Sequence, residues 1–346
     1  MPIRIDTGVA LAPLTTLGVG GTARRFVRVA TVGELTEALA DAARANERML
    51  VLGGGSNLVV GDAGWDGLVV QIGIDGVKIR LYDDHAIVSA FAGVEWDDFV
   101  ARMVNAKLVG VECLSGIPGL VGATPMQNVG AYGQEVADTI VLVRALDRNT
   151  GQVVALEPAE CGFAYRTSMF KGNARWIVLE VRFRFARGAD SSPIRYAELS
   201  RALGIADGES APLDEVRDTV IALRRGKGMV VDPRDPESRS AGSFFTNPIL
   251  DGAALAALEA RLSGATLPRW AQPDGTTKVS AAWLIERVGF TKGYTTGRVG
   301  ISKKHALALV NRGGATTAEL LALANEIVAG VHAKLGVTLV PEPVIV

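Results

Sequence analysis

Two glycine-rich segments carry the strongest chemical signal in this chain. The first, GGGSNLVV at residues 53–60, sets Gly53, Gly54 and Gly55 before Ser56 and Asn57. Consecutive glycines let successive backbone N–H groups converge into an anion-binding nest, to which Ser56 and Asn57 add side-chain donors. A tight strand-to-strand turn would use the same residues. The second segment, SGIPGLVGATPMQNVGAYG at residues 115–133, repeats glycine at Gly116, Gly119, Gly122, Gly130 and Gly133. Pro118, Ala123, Ala131 and the amides Gln127 and Asn128 stand among them. A packed core has no use for so many missing side chains, whereas an extended cofactor lying on the backbone does. Gln and Asn can bond the edge of a heterocycle. Two such cradles point to a flavin dinucleotide. A third run, GVGGTA at residues 18–23, fits the relaxed G-x-G-x-x-A fingerprint. That fingerprint must open a helix, but FVRV at 26–29 alternates like a strand, so no Rossmann site is expected there.

These loops need elements to hold them. Thr31 and Glu34 form a capping box that opens a helix with Leu35, Leu39 and Ala42 on one face. Residues 49–52 read as a buried strand running into the first glycine loop, and residues 58–60 continue as strand. Residues 77–82 and 85–92 form a hairpin pattern around Asp83-Asp84. Trp96, Phe99, Val100 and Met103 recur at helical spacing just ahead of the second glycine segment. Strands at 139–147 and 152–157 flank an Asn-Thr-Gly turn. Ile177, Leu179, Val181, Phe183 and Phe185 alternate with Glu180, Arg182 and Arg184, which predicts a strand with one wet face. The texture then turns helical, over 212–225, 253–262, 280–288 and 316–335, the last with a capping box at Thr316 and Glu319.

Composition bounds the class. With 346 residues, 48% hydrophobic and 21% charged, the chain is globular and long enough for two to three domains. The net charge of −1 comes without a block of like charge, so neither a nucleic-acid footprint nor a polybasic membrane patch is expected. No apolar run approaches a membrane span, and MPIRIDTGVALAPL does not read as a signal peptide. Two cysteines, Cys113 and Cys161, are too few for a disulfide framework. The three histidines and two cysteines lack metal-ligand spacing, so no metal is expected. A cytoplasmic protein follows.

The motifs GGGSNLVV, SGIPGLVGATPMQNVGAYG, FAYRTSMFK (163–171), AGSFFTNP (241–248) and PEPVIV (341–346) together resemble the UDP-N-acetylenolpyruvoylglucosamine reductases. The match is to the first structural type of that family, with a tyrosine loop, and it covers the chain from residue 17 onward. The resemblance implies an α/β (α+β) protein. An FAD-binding domain of the vanillyl-alcohol-oxidase/PCMH type would form two α/β subdomains, at 1–75 and 76–195. A carboxyl-terminal α/β substrate-binding domain would follow at 196–346. It implies FAD bound by Gly53, Gly54, Gly55, Ser56, Asn57 and Leu58. Ser115, Gly116, Ile117, Pro118, Gly119, Gly122, Ala123, Gln127, Asn128, Gly130, Ala131, Tyr132, Gly133 and Val178 would complete the contacts. The reaction would run in two halves, with NADPH reducing FAD and the enolpyruvyl sugar nucleotide then taking its place and being reduced. No nucleic-acid or membrane partner is implied, and a monomer is expected. Another flavin oxidoreductase on the same fold would leave Ser243, Glu342 and Tyr196 without a reason to occur in the family's order.

Reducing an enolpyruvyl group piles negative charge onto its carboxylate, so a fixed cation and a proton donor are required. Arg166, flanked by Phe163, Tyr165 and Phe170, suits the first task because guanidinium grips carboxylate with two parallel bonds. The motif match alone makes Ser243 the proton donor and Glu342 the group that stabilises the enolic intermediate with Arg166. It also assigns substrate contacts to Tyr165, Tyr196, Lys227 and Asn247. Lys303, Lys304 and His305 read either as a further pyrophosphate contact or as solvated charges at a helix start. The connection after Lys227 is longer than the family's, and the ending Glu342-Pro-Val-Ile-Val346 differs from the usual one.

Overall fold

A computed structural model of the chain describes residues 3–262 and 264–346. Two compact units interleave in sequence. The first gathers residues up to 9, 23–55 and 66–226, and the second residues 10–22, 56–65 and 227–346.

In the first unit, a four-stranded sheet has the order Asp6–Ala10, Thr22–Val29, Trp65–Ile72, Met49–Leu52, the last two strands parallel. The helix Val32–Arg44 buries Leu35, Ala38 and Ala42 against Val27, Val29, Leu68 and Val70 of this sheet. Its N-cap Thr31 accepts from the Glu34 N–H at 3.1 Å, while the Glu34 carboxylate reaches past it to the Ala30 N–H at 2.6 Å. The expected capping box is thus closed one residue early. The parallel strand Met49–Leu52 delivers the chain into the first glycine loop, as its short apolar run implies.

The second sheet runs Val153–Leu156, Ile140–Asp147, Trp176–Arg187, His85–Phe91, Val77–Leu81, with Leu108–Val109 also against Trp176–Arg187. The expected hairpin is present, closed by Tyr82 N–H to His85 C=O at 2.8 Å. The expected single wet face of residues 177–185 is not. Leu179 bulges between the pairs Arg144–Glu180 and Ala145–Val178, and a one-residue slip exchanges the faces of a strand. Ile177 and Leu179 therefore enter the core beneath helix Val32–Arg44. Val181, Phe183 and Phe185 enter the core of Trp96, Phe99 and Met103. Glu180, on the face expected to be wet, is 6% exposed and bonded to Arg144 at 2.9 Å.

The helices Ala197–Leu203 and Leu213–Gly226 bury Leu199, Val216 and Val220 with Cys113 and Ile194. Residues 196–226, where the sequence places the opening of the carboxyl-terminal domain, lie in the first compact unit.

The core of the second unit is built on the helix Thr317–Leu335. Its capping box at Thr316 and Glu319 is complete, and it stops at Gly336 with φ 73°, as the sequence predicts. The helices Gly252–Arg261 and Ala281–Arg287 add Leu258, Leu284 and Ile285, while Leu17, Val19 and Val59 bring the two amino-terminal excursions into the same core. Short strands of two or three residues complete it. Among the described residues, no helix is long and apolar enough to cross a membrane.

Candidate active site

In the first unit the two glycine segments lie against each other. A Cβ built on Gly54 would stand 2.9 Å from the Gly119 Cα and 3.4 Å from its carbonyl carbon, so glycine at 54 is needed for loop-on-loop packing. Gly119 itself sits at φ +124°, open to glycine alone. A Cβ on Gly122 would come within 2.4 Å of the Ala92 Cβ, so that glycine also serves protein packing. By contrast, Gly53 has room, since its Cβ would meet only Leu120 Cδ1 at 3.8 Å and Ala123 Cβ at 4.0 Å. The N–H groups of Gly54, Gly55, Ile117 and Gly119 donate no hydrogen bond within the protein among the described residues. Gly55 is buried, and a buried backbone donor needs an acceptor. Adjacent glycine loops offering unclaimed N–H groups fit the phosphates and ring of an FAD.

Other expected cofactor residues have internal duties. Ser115 is buried and donates to the Glu112 carbonyl at 2.6 Å. The Gly116 N–H goes to Asp97 at 2.6 Å. Asn128, 1% exposed, bonds Glu135 at 2.7 Å and Ala164 C=O at 3.4 Å, and accepts from Ala137 N–H at 3.1 Å. Val178 is 3% exposed, with its side chain in the core of the second sheet, so only its backbone can meet a ligand. Ile117, Pro118, Ala123 and Gln127 are half-buried. Gly130 and Ala131 pair with Gln134 and Glu135 in a two-residue ribbon.

Strain gathers beside that ribbon. Of five non-glycine residues with positive φ among the described residues, three are Asn128 (46°), Tyr132 (50°) and Arg166 (54°). Each costs about 1–2 kcal/mol, which local bonding must offset. Arg166 occupies the second central position of a two-residue turn closed by Ala164 N–H to Thr167 C=O at 3.2 Å and Thr167 N–H to Ala164 C=O at 3.1 Å. Negative φ followed by positive φ is the type II pattern, which ordinarily takes glycine or asparagine at that place. The Arg166 guanidinium donates to the Gly130 carbonyl at 2.8 Å and lies 5.6 Å from the Tyr165 ring centre. Ser168 ties the same segment to the second glycine segment, donating to the Met126 carbonyl at 2.7 Å. A chain carbonyl from one motif thus orients the cation of another.

Three groups absent from the sequence reading shape the local field. Asp97 accepts two parallel bonds from Arg217, at 2.7 and 2.9 Å, besides the Gly116 N–H. Burial pushes its carboxyl up, but Arg217 and the Gly116 N–H outweigh that and hold it below its ordinary value. Arg224 is 9% exposed, and burial lowers its pKa to about 10 against the opposing pull of Tyr132 and Asp97. Burial raises the Tyr132 phenol to about 12. Tyr196, the expected substrate tyrosine, is 42% exposed and meets Tyr132 edge-on with ring centres 5.3 Å apart. It ends the loop ahead of the helix Ala197–Leu203, at its N-cap position and without a side-chain capping bond. The only local signal for Arg224 is its place three residues ahead of Lys227, in the run Arg224-Arg-Gly-Lys227. Asp97 and Arg217 stand far apart in sequence, and no local pattern links them.

In the second unit, the segment Ser243–Thr246 and the tail 340–346 run antiparallel. Glu342 N–H bonds Phe244 C=O at 2.9 Å and Thr246 N–H bonds Val340 C=O at 3.1 Å, with Phe245 bridging Pro341. The other edge of the tail pairs parallel with Leu58–Val59, through Val344 N–H to Asn57 C=O at 3.0 Å. Asn57 also donates its amide to the Glu342 carbonyl at 3.4 Å. The tail is thereby strapped on both sides, which brings Ser243, Glu342, Asn57 and Leu58 into one small neighbourhood. The half-buried Ser243 hydroxyl makes no hydrogen bond to the described residues. Asn247 accepts from the first N–H of helix Ala281–Arg287 at 2.9 Å, a structural duty for its oxygen that leaves its NH₂ for other use. Lys227 opens this unit, half-buried, ahead of Gly228, whose φ is +67°. Lys303, Lys304 and His305 lie in the connection between strands Val299–Ile301 and Leu309–Asn311, not at a helix start, and Lys304 pairs with Asp235 at 2.7 Å.

Comparison with known proteins agrees with these groupings. Residues 23–157 match the model of an FAD-binding domain, and residues 234–346 match that of the UDP-N-acetylenolpyruvoylglucosamine reductase carboxyl-terminal domain. The UDP-N-acetylenolpyruvoylglucosamine reductase of Thermobifida fusca is 55% identical over 98% of this chain and 97% of its own. That of Streptomyces coelicolor is 52% identical over 100% of this chain and 91% of its own. The crystal structure of the Thermus caldophilus enzyme of the same name superposes with a TM-score of 0.66 at 27% identity, covering 99% of both chains. The chain therefore belongs to the UDP-N-acetylenolpyruvoylglucosamine reductases, the FAD- and NADPH-dependent oxidoreductases of peptidoglycan precursor synthesis.

Proposed function

We propose that reduction of the enolpyruvyl group by this chain rests on Arg166, Ser243 and Glu342. FAD, when bound, carries two electrons from NADPH to the enolpyruvyl carbon; everything else falls to the protein. Arg166 binds the substrate carboxylate through guanidinium donors not committed to Gly130, stabilising the charge that builds there. Ser243 gives a proton to the carbon next to the carboxylate. Glu342 acts with Arg166 on the enolate-like species, and its backbone is fixed by bonds to Phe244 and Asn57. FAD would be held by the backbones of residues 53–58, 115–119 and 130–133, with Gly122, Ala123, Gln127, Asn128 and Val178 beside it. Asn128 and Val178 would act through backbone alone. Tyr165, Tyr196, Lys227 and Asn247 would contact the sugar nucleotide, the lysine through phosphate.

The observation that carries this reading is the antiparallel pairing of AGSFFTNP with PEPVIV. It sets Ser243 and Glu342 on two hydrogen-bonded segments although they are remote in sequence. Cytoplasmic action by a monomer is part of the proposal. NADPH and a nucleotide sugar are charged and do not cross membranes, and both cysteines are buried thiols suited to a reducing compartment. Light scattering tests the monomer.

The roles are tested by rapid mixing of Ser243→Ala in each half-reaction. Flavin reduction by NADPH needs no proton from this hydroxyl and should keep its rate. Reoxidation by the enolpyruvyl sugar nucleotide should slow by about 10²–10⁴-fold, the usual worth of a general acid. Equal slowing of both halves would assign the serine to cofactor binding and remove it from the chemistry.

A further inference from the structure

The turn that presents Arg166 is held by a residue with no task so far. Lys171 is half-buried, and its ammonium donates to the Arg166 carbonyl oxygen at 2.9 Å. It has no other partner among the described residues. A lysine normally keeps its head hydrated and its stem mobile, so fixing it on one backbone oxygen costs conformational freedom. The reason lies in the peptide it holds. Arg166 has φ +54° where the turn calls for glycine or asparagine, and a side-chain-bearing residue there relaxes toward ordinary backbone wells unless its surroundings forbid it. The hydrogen bonds between Ala164 and Thr167 close the ends of the turn, but they leave the Arg166 carbonyl to Lys171. The far end of the arginine is fixed by the Gly130 carbonyl at 2.8 Å. Lys171 fixes the near end. The arginine is thus held at its guanidinium by Gly130 and at its own peptide by Lys171.

We propose that Lys171 is the positioning residue of Arg166, holding the strained turn in the one orientation that receives a substrate carboxylate. This rests on the reading of Arg166 as the carboxylate-binding cation. Loss of the clamp lowers the population of the competent turn, and apparent affinity falls by the same fraction. A hydrogen bond from a charged donor is worth about a factor of ten in such a population. Saturating substrate pulls the turn back, so the loss falls on binding more than on the maximal rate.

The experiment uses flavin-loaded enzyme with Lys171→Met, Lys171→Arg, Arg166→Met and the double variant. Substrate affinity is read by titrating the oxidised enzyme with enolpyruvyl sugar nucleotide and following the flavin difference spectrum. The two half-reactions are read by rapid mixing. Lys171→Met should hold flavin and be reduced by NADPH normally, bind the sugar nucleotide about tenfold more weakly, and keep its saturated reoxidation rate within about threefold. Lys171→Arg should recover part of the affinity. In the Arg166→Met background, Lys171→Met should add less than about twofold, because the residue it positions is gone. Unchanged affinity in Lys171→Met, equal slowing of both half-reactions, or additive losses in the double variant would each overturn the proposal. If Arg166→Met itself binds and reoxidises normally, the reading of Arg166 fails and the positioning role falls with it. Should Lys171→Met not fold, Lys171→Gln decides, with weakened binding and intact reduction expected, and unaltered binding overturning the role.

Discussion

Gly53 and Gly54 are chemical equals in the sequence, yet the structure gives them opposite duties, which a pair of alanine substitutions should separate. A Cβ at Gly54 would lie 2.9 Å from the Gly119 Cα, closer than such atoms approach, and the obstacle is backbone that cannot rotate away. Neither Gly53 nor Gly54 has positive φ, so alanine gains about 0.4–1 kcal/mol at either place by restricting the unfolded chain. At Gly54 that gain faces an overpacking cost of about 1–3 kcal/mol, and the clash wins. The expected net loss is about 1–2 kcal/mol, or roughly 2–8 °C in the melting temperature of a unit this size. At Gly53 the new methyl meets only ordinary contacts at 3.8 and 4.0 Å, so the protein itself should be unaffected or slightly stabilised. If flavin lies over that open side, Gly53→Ala should instead weaken flavin binding by about tenfold. The assay is thermal unfolding of flavin-stripped protein beside flavin titration. A Gly54→Ala apoprotein as stable as the parent would refute the loop-on-loop account.

Three further outcomes are expected. Asp97 is held below its unperturbed value of 3.8, so its bonds to Arg217 and Gly116 contribute stability above that value, which is lost as pH falls through the lowered folded value. Urea unfolding should therefore show Asp97→Asn less stable than the parent at pH 7, with the gap narrowing as pH falls below 3.8; a constant gap would count against this. Lys227→Ala should raise KM for the sugar nucleotide by about tenfold and Tyr196→Phe by less, with kcat little changed; a fall in kcat alone would exclude binding roles. Steady-state kinetics should be ping-pong, each substrate inhibiting at high concentration, and intersecting reciprocal plots would exclude alternate occupancy.

Local physics made much of the scaffold legible. The capping box at Thr316 and Glu319, the Gly336 stop, the hairpin around Asp83-Asp84 and the buried face of Trp96, Phe99 and Met103 each follow from a spacing or a single residue's backbone preference. The bulge at Leu179 was not legible. A two-residue period records alternation, but only the two packed cores decide where it slips. The strap of the tail between Phe244 and Asn57, and the interleaving of residues 10–22 and 56–65 with the second unit, come from long-range pairing that leaves no local trace. The motifs singled out Arg166 and Asn128 as candidates. They could not reveal that Asn128 has its amide committed inside the protein, nor that Lys171 and Asp97 hold the pieces others use.

The most direct test of the central claim is a single anaerobic turnover of the purified holoenzyme. NADPH should bleach the visible flavin absorption, and after excess nucleotide is removed, the enolpyruvyl sugar nucleotide should restore it, with one equivalent of the lactyl sugar nucleotide formed per flavin. A flavin that stays reduced on addition of that substrate while air restores it would contradict the assignment.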